Sequence, residues 1–337
     1  MARGLENLGN VYKDQGSYAL AVEFYESALK SYGELGDQEN VAGTLNNIGI
    51  VQTLKGDYTA ALESFQKSLA LSEAVGSKTN LSETLNNIGI VHKEQGRYDL
   101  AVDFYQRSLK LAEELGEKGG IAEALGNIGI AHHEQGASDP ALEFLQKALG
   151  IAEEIGEKAR IAETLHNIGT VRATRGDLAM ASALYQRSLE LSEKIGDKAG
   201  MAQTLGAIGD ALISQDKPVQ ALEYYKRGLS IAETIDLPSV AYLCSKGIGD
   251  VESREGRKEE AIASYRKAIS FLERIRSHVA GGEEERLLFL HSKDRYVVYQ
   301  SLISLLTARG MIADALSHLE RAKSKQLLDG FRLQSLT

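Results

Sequence analysis

At 337 residues, 43% of them hydrophobic and 25% charged, the chain can bury a core and is not a disordered polymer. A formal net charge of −9 is the wrong sign for a phosphate-backbone binder, and no Lys/Arg run exceeds two residues, so no nucleic-acid partner is expected. One cysteine, Cys244, excludes a disulfide framework; with no apolar run of about 18–20 residues and no signal-peptide core, the expectation is a soluble cytoplasmic protein without membrane contact.

From its first residues the chain repeats itself at a shift of forty. Gly9, Gly49, Gly89, Gly129, Gly169, Gly209 and Gly249 share one column, and Ala21, Ala61, Ala101, Ala141, Ala181, Ala221 and Ala261 another. Tyr25, Phe65, Tyr105, Leu145, Tyr185, Tyr225 and Tyr265 form a third. Within a copy the apolar spacing is helical: Leu45 and Ile48, then Ala61, Leu62, Phe65 and Leu69, follow i, i+3, i+4 steps. Gly56 and its equivalents divide each copy, and Gly76 and its equivalents end it, as a left-handed helix cap requires. The second copy therefore predicts two antiparallel helices, roughly 40–55 and 58–75. The small Gly and Ala columns are expected to let the two helices approach closely, while the ring column fills the space towards the next hairpin. One hairpin leaves its apolar face open, so stability must come from stacked neighbours. Pro140 and Pro218 fall in the first turn of second helices and Pro238 just before a first helix, where a missing N–H costs nothing.

Further along, Asp216 replaces the turn glycine of copy six, and Ser245 takes the Leu45 column in copy seven. After Ile275 the register is lost, and a related pattern returns at Gly310, Ala315, Leu319 and Ala322. The expected organisation is seven hairpins over 1–275, then 276–337 as a long helix (283–309) and its partner (312–329). That pair is a degenerate eighth hairpin, a linker or cap to a missing downstream domain. Its apolar face, Leu288, Tyr296, Leu302 and Leu306, should lie on the seventh hairpin. Met1 aligns with Val41, so the first hairpin lacks its opening turn, and both ends are read as those of an excised fragment.

These columns over residues 2–275 resemble the tetratricopeptide repeat (TPR). The resemblance implies an all-α fold, a right-handed α-solenoid of antiparallel helix hairpins. Two departures stand out: Leu45 and its equivalents replace the usual tryptophan, and each copy exceeds the common form of about 34 residues. The forty-residue form is similar to that of kinesin light chain and Pins-type scaffolds, which implies a structural adaptor with no linked enzyme. The segment from Arg295-Tyr296 through Leu305-Leu306, Gly310 and Glu320-Arg321-Ala322-Lys323 to Asp329 resembles the linker after the TPR array of CHAT-domain proteins. That resemblance implies a sensor for a caspase-like protease domain, an intramolecular partner that these residues do not include.

Chemistry within the chain itself is not expected. His132-His133-Glu134 is not the HExxH zinc pattern, and His92 and His132 sit in one column but in different hairpins, so no metal is expected. Cys244 shares the column of Thr44, Thr84, Thr164 and Thr204, a small packed slot and not a nucleophile's site. No phosphate loop exists, hence no cofactor and no enzyme. Asn7, Asn47, Asn87, Asn127 and Asn167 form a column whose amides are expected to tie one hairpin's backbone to its neighbour.

TPR grooves are lined by first helices, and the matching positions here are Asn46, Asn86 and His166 with Ile50, Ile90, Ile130 and Thr170, followed by Lys93 and His133. Three isoleucines in line would form an apolar stripe, unless the lengthened helices turn them into the hairpin core. Glu83, Glu123 and Glu163 flank the same face, without the Lys/Arg pair of a carboxylate clamp, which argues against a chaperone C-terminal tail. The expected partner is a protein or peptide held in the concave groove by apolar contacts and Asn hydrogen bonds.

Overall fold

Similar local chemistry ends and starts several of the helices. At the end of the second copy the Gly76 N–H bonds the Glu73 carbonyl and the Ser77 N–H bonds the Ser72 carbonyl, the paired bonds of a glycine-terminated helix. Gly36, Gly76, Gly116 and Gly156 hold the left-handed φ of 69 to 75° that a side chain would resist. Both helices of the second copy start on an aspartate cap: Asp37 accepts the Asn40 N–H at 3.2 Å and Asp57 the Ala60 N–H at 3.2 Å. The Asp37 cap explains why the first helix of copy two begins at Gln38, ahead of the expected boundary.

The computed structural model describes residues 1–277 and 296–322, and its regular elements there are all helices. They fall into two units, Met1–Val171 and Arg172 onward. In unit 1, α1 (Ala2–Asp14) and α2 (Tyr18–Glu34) form the first hairpin, and α3 (Gln38–Leu54) and α4 (Tyr58–Val75) the second. Then come α5 (Lys78–Glu94) with α6 (Tyr98–Leu115) and α7 (Lys118–Glu134) with α8 (Ser138–Ile155), and α9 (Lys158–Thr174) opens the fifth.

The glycine column brings the two helices of a hairpin together through a ring. A Cβ built on Gly49 would lie 2.5 Å from Phe65 Cε1, one on Gly89 2.5 Å from Tyr105 Cε1, and one on Gly9 2.6 Å from the Tyr25 ring. The missing side chain therefore makes room for the ring of the same hairpin. That ring continues into the next hairpin, where Phe65 joins Ile88 and Val91, and Tyr105 joins Ile128 and Ala131. Each such burial stabilises the stack by about 1.5–3 kcal/mol. In copy four, with Leu145 in place of a ring, Gly129 lies close to a facing backbone as well, 3.1 Å from the Ala141 carbonyl. Buried hydroxyls add specific ties: Ser68 Oγ donates to the Ala42 carbonyl at 2.8 Å and meets Thr84 Oγ1 of the next hairpin at 3.0 Å.

Unit 2 holds α10 (Leu178–Ile195), α11 (Lys198–Ser214), α12 (Pro218–Thr234), α13 (Pro238–Arg254), α14 (Lys258–Ser277), α15 (Val297–Ala308) and α16 (Ile312–Ala322). Pro238 is the first residue of its helix, one place further in than expected and equally free of an N–H requirement. Asp216 and Asp236 take the left-handed turn position with φ of 57 and 58°, which aspartate tolerates better than most residues. On α14, Ile269 and Leu272 pack with Leu302 and Leu306 of α15, and Tyr296 lies at the margin of that cluster. Leu288, the rest of the expected helix before Tyr296, and 323–329 lie outside the described residues. Arg309 pairs with Glu259 and Arg266 with Asp314, and Arg276 Nη1 donates to the Arg321 carbonyl at 3.3 Å.

Candidate functional site

In unit 1 the first helices of successive hairpins touch, α3 with α5 and α5 with α7, so equivalent positions on them form rows. One row is a side-chain ladder. Asn47 Nδ2 donates to Glu6 at 3.1 Å, Asn87 Nδ2 to Asn46 Oδ1 at 3.0 Å, and Asn127 Nδ2 to Asn86 Oδ1 at 2.9 Å. The expected partner of these amides was a neighbouring backbone; it is a neighbouring side chain. Asn46 and Asn86 are buried in the ladder, and Asn86 also donates to Glu123 at 2.9 Å. Both hold hairpins together and present little surface to a ligand.

The next row carries Ile50, Ile90 and Ile130, all half-buried. Ile50 leans on the cluster of Phe65, Ile88 and Val91, and Ile90 on that of Tyr105, Ile128 and Ala131. One side of each isoleucine belongs to the junction and the other remains accessible. Lys93 and His133, one turn further, are also half-buried; Lys93 pairs with Glu94 at 3.2 Å, while His133 Nδ1 has no partner. Thr170 donates to the His166 carbonyl at 3.1 Å. Burial pulls the His166 imidazole down to about 4, so it is neutral at neutral pH.

Sequence reasoning missed a pairing that cuts across these rows. The Tyr25 hydroxyl donates to Asn10 at 2.7 Å. In unit 2 the Tyr225 hydroxyl donates to Asp210 at 2.6 Å and the Tyr265 hydroxyl to Asp250 at 2.8 Å. Asn10, Asp210 and Asp250 stand in the isoleucine column, fifteen residues before their tyrosines. Where copy two has Phe65 and copy four Leu145, the column is apolar, with Ile50 and Ile130. Copy three breaks the pattern: Tyr105 is fully buried, Ile90 gives it no acceptor, and its hydroxyl has no partner. The co-variation of the two columns within one chain was the signal.

The remaining candidates belong to packing. Cys244 is fully buried and its thiol is pushed up to about 12, so it is not a thiolate at neutral pH. His92 and His132 stack on Phe104 and Phe144 with ring centroids 5.2 and 5.5 Å apart. Among the described residues, no group of three or more His, Cys, Asp and Glu could hold a metal ion. None of the described helices is long and apolar enough to cross a membrane.

The family model for the tetratricopeptide repeat matches residues 1–74, 80–154 and 160–234, and a second model of the same repeat matches 247–271. The chain belongs to the tetratricopeptide-repeat family. No curated protein matches this TPR chain in sequence. Among solved structures it is similar to a Rap protein complexed with competence and sporulation factor, at 16% identity, covering 81% of this chain and 75% of that one, with a TM-score of 0.67. It is also similar to the Rap conjugation gene regulator of the plasmid pLS20 in complex with a Phr peptide, at 18% identity and 82% and 75% coverage, with a TM-score of 0.64. A third is a signal transduction ATPase with a TPR sensor from Pyrococcus horikoshii, at 15% identity and a TM-score of 0.63. The match covers 100% of this chain and 49% of that protein, so this chain spans about half of its length. At these identities the likeness concerns the TPR fold alone.

Proposed function

We propose that this TPR chain is a peptide- or protein-binding scaffold whose ligand lies along the inner row of unit 1, over Ile50, Ile90 and Ile130. The observation that carries this reading is the half-burial of those isoleucines: three apolar side chains in register keep an accessible side where a monomeric array gains nothing from it. Lys93, His133, His166 and Thr170 border the row, and Asn46 and Asn86 fix its spacing. Two structures of this fold that hold a factor or a peptide support the class of ligand.

The finer reading is that the array is the sensor of a CHAT-type protease, with 276–337 as linker or cap towards that domain, in a cytoplasmic setting. Support comes from the motif between Arg295 and Asp329 and from a structural neighbour whose TPR part serves as a sensor. A continued reading frame with a catalytic His and Cys after Thr337 tests it; a frame with neither removes it.

For the groove, the full chain is panned against a displayed random-peptide library. Captured peptides are expected to lose about tenfold or more in affinity on Ile90→Lys, the loss of one central apolar contact. A circular dichroism melt of the variant accompanies the measurement, because a half-buried position also contributes to folding. Peptides that bind wild type and a folded Ile90→Lys equally well would overturn the reading.

A further inference from the structure

The row of Ile50, Ile90 and Ile130 offers a ligand apolar contact but little for its backbone. Asn87 and Asn127 donate their amide N–H groups to the Asn46 and Asn86 oxygens at 3.0 and 2.9 Å, and Asn47 donates to Glu6. These amides are therefore turned from hairpin to hairpin, along the row and not towards a chain lying over it. Asn46 and Asn86 are 5% and 6% exposed, so the acceptors of the ladder are closed to a ligand. The hydroxyls beside the row turn inward as well: Thr53 donates to the Gly49 carbonyl at 2.9 Å and Thr170 to the His166 carbonyl at 3.1 Å.

An extended ligand presents an N–H and a C=O at every residue, and each one pressed against an apolar row without a partner is costly. A helix satisfies those groups within itself and needs only an apolar stripe. The border of the row adds charge complementarity. Lys93 is half-buried there, its carboxylate partner Glu94 is its own chain neighbour, and His133 in the same column has an Nδ1 without a partner. An acidic edge on the ligand suits both.

We propose that the ligand of this row is an amphipathic α-helix, its apolar stripe on Ile50, Ile90 and Ile130 and an acidic edge beside Lys93 and His133. This rests on the groove reading above and specifies the form of its ligand. The three isoleucines stand on α3, α5 and α7, which touch in succession. Touching helices lie about 8–10 Å apart. Two turns of a ligand helix rise about 11 Å, so stripe residues about seven apart meet successive isoleucines.

The test pans the full chain against two displayed libraries of peptides of roughly twenty residues, about 30 Å long as a helix. One library is patterned for a helix, with random apolar residues in a stripe and random polar residues elsewhere. The other is alike but carries a proline at every fourth position, which breaks a helix. Captured peptides should come from the first library, gain helical circular dichroism on binding, and carry Asp or Glu along one flank of the stripe. A single central proline should cost them about tenfold or more in affinity. Lys93→Glu should cost about threefold or more. Ile90→Lys should abolish capture, and Ile50→Lys takes its place if that variant fails to fold. Proline-bearing peptides that bind as well as the helical ones, or helical ones indifferent to Lys93→Glu, overturn the proposal; if Ile90→Lys still removes them, the groove reading stands. Peptides that ignore both isoleucine variants, or no capture from either library, overturn both.

Discussion

The inner rows of the two units differ although their cores are built alike. In unit 1 the amide ladder runs through Asn47, Asn87 and Asn127, beside a row of isoleucines. In unit 2 the ladder positions hold Gly206, Ala207, Lys246 and Gly247, and the isoleucine row becomes Asp210 and Asp250, each bound by a tyrosine hydroxyl. Lys246 pairs with Asp250 at 2.7 Å. Meanwhile Gly209 lies against Tyr225 and Gly249 against Tyr265 as Gly49 lies against Phe65. Internal repetition thus separates two kinds of position: columns that never drift hold the stack, and columns that drift between units carry whatever distinguishes them.

The sharpest way to break that separation is to attack the shared core in both units. Gly89→Ala and Gly209→Ala each drive a methyl to 2.5 Å from a tyrosine ring, and each should cost about 2–3 kcal/mol in urea unfolding. A large cost in one unit and none in the other would mean that the cores are not equivalent. Next in size is a contrast inside the drifting column. Ile50→Asn, beside Phe65, should lose about 1–2 kcal/mol, whereas Ile90→Asn gives the Tyr105 hydroxyl the acceptor that Tyr25 has and should stay within about 0.5 kcal/mol of wild type. Equal losses would show that the Tyr105 hydroxyl is already satisfied.

The smallest effect is on pH, and its sign differs between His166 and Asp210. His166 stays neutral when folded down to about 4, while the unfolded imidazole gains its proton near 6.5, so unit 1 should weaken as pH falls between those values. Asp210 on α11 has a carboxyl raised by burial, so acid should relieve that helix instead, while the burial-lowered His318 on α16 follows the sign of His166. Hydrogen exchange at pH 7 and pH 5 reads α9 and α11 separately, and His166→Asn should flatten the response of α9. Parallel responses in both helices would dismiss these groups as the cause.

The hairpins and their ends were legible because the columns recur five to seven times, so Gly76 or Tyr105 is recognised by its register without any structure. The inner row was less legible, since its contacts do not follow the repeat. Asn87 meets Asn46 at a separation of 41, and Tyr225 meets Asp210 at 15, distances at which a forty-residue self-comparison is blind. Burial of Asn46 and Asn86 follows from those contacts and not from residue type. The glycine column was legible as a packing device for close helices, but composition cannot say that a ring of the facing helix fills the space beside Gly49.

The ring-over-glycine contact also leaves a magnetic signature. One Hα of Gly9, Gly49, Gly89, Gly209 and Gly249 occupies the direction in which a Cβ would strike an aromatic ring, so the ring's circulating electrons act on that proton directly. Gly129, facing the aliphatic Leu145, is its unshifted counterpart. Each of these hairpins thus carries its own resonance, placed by the same atoms that hold it to its neighbour. Loosening of one hairpin is visible as the return of a single glycine signal to its random-coil position.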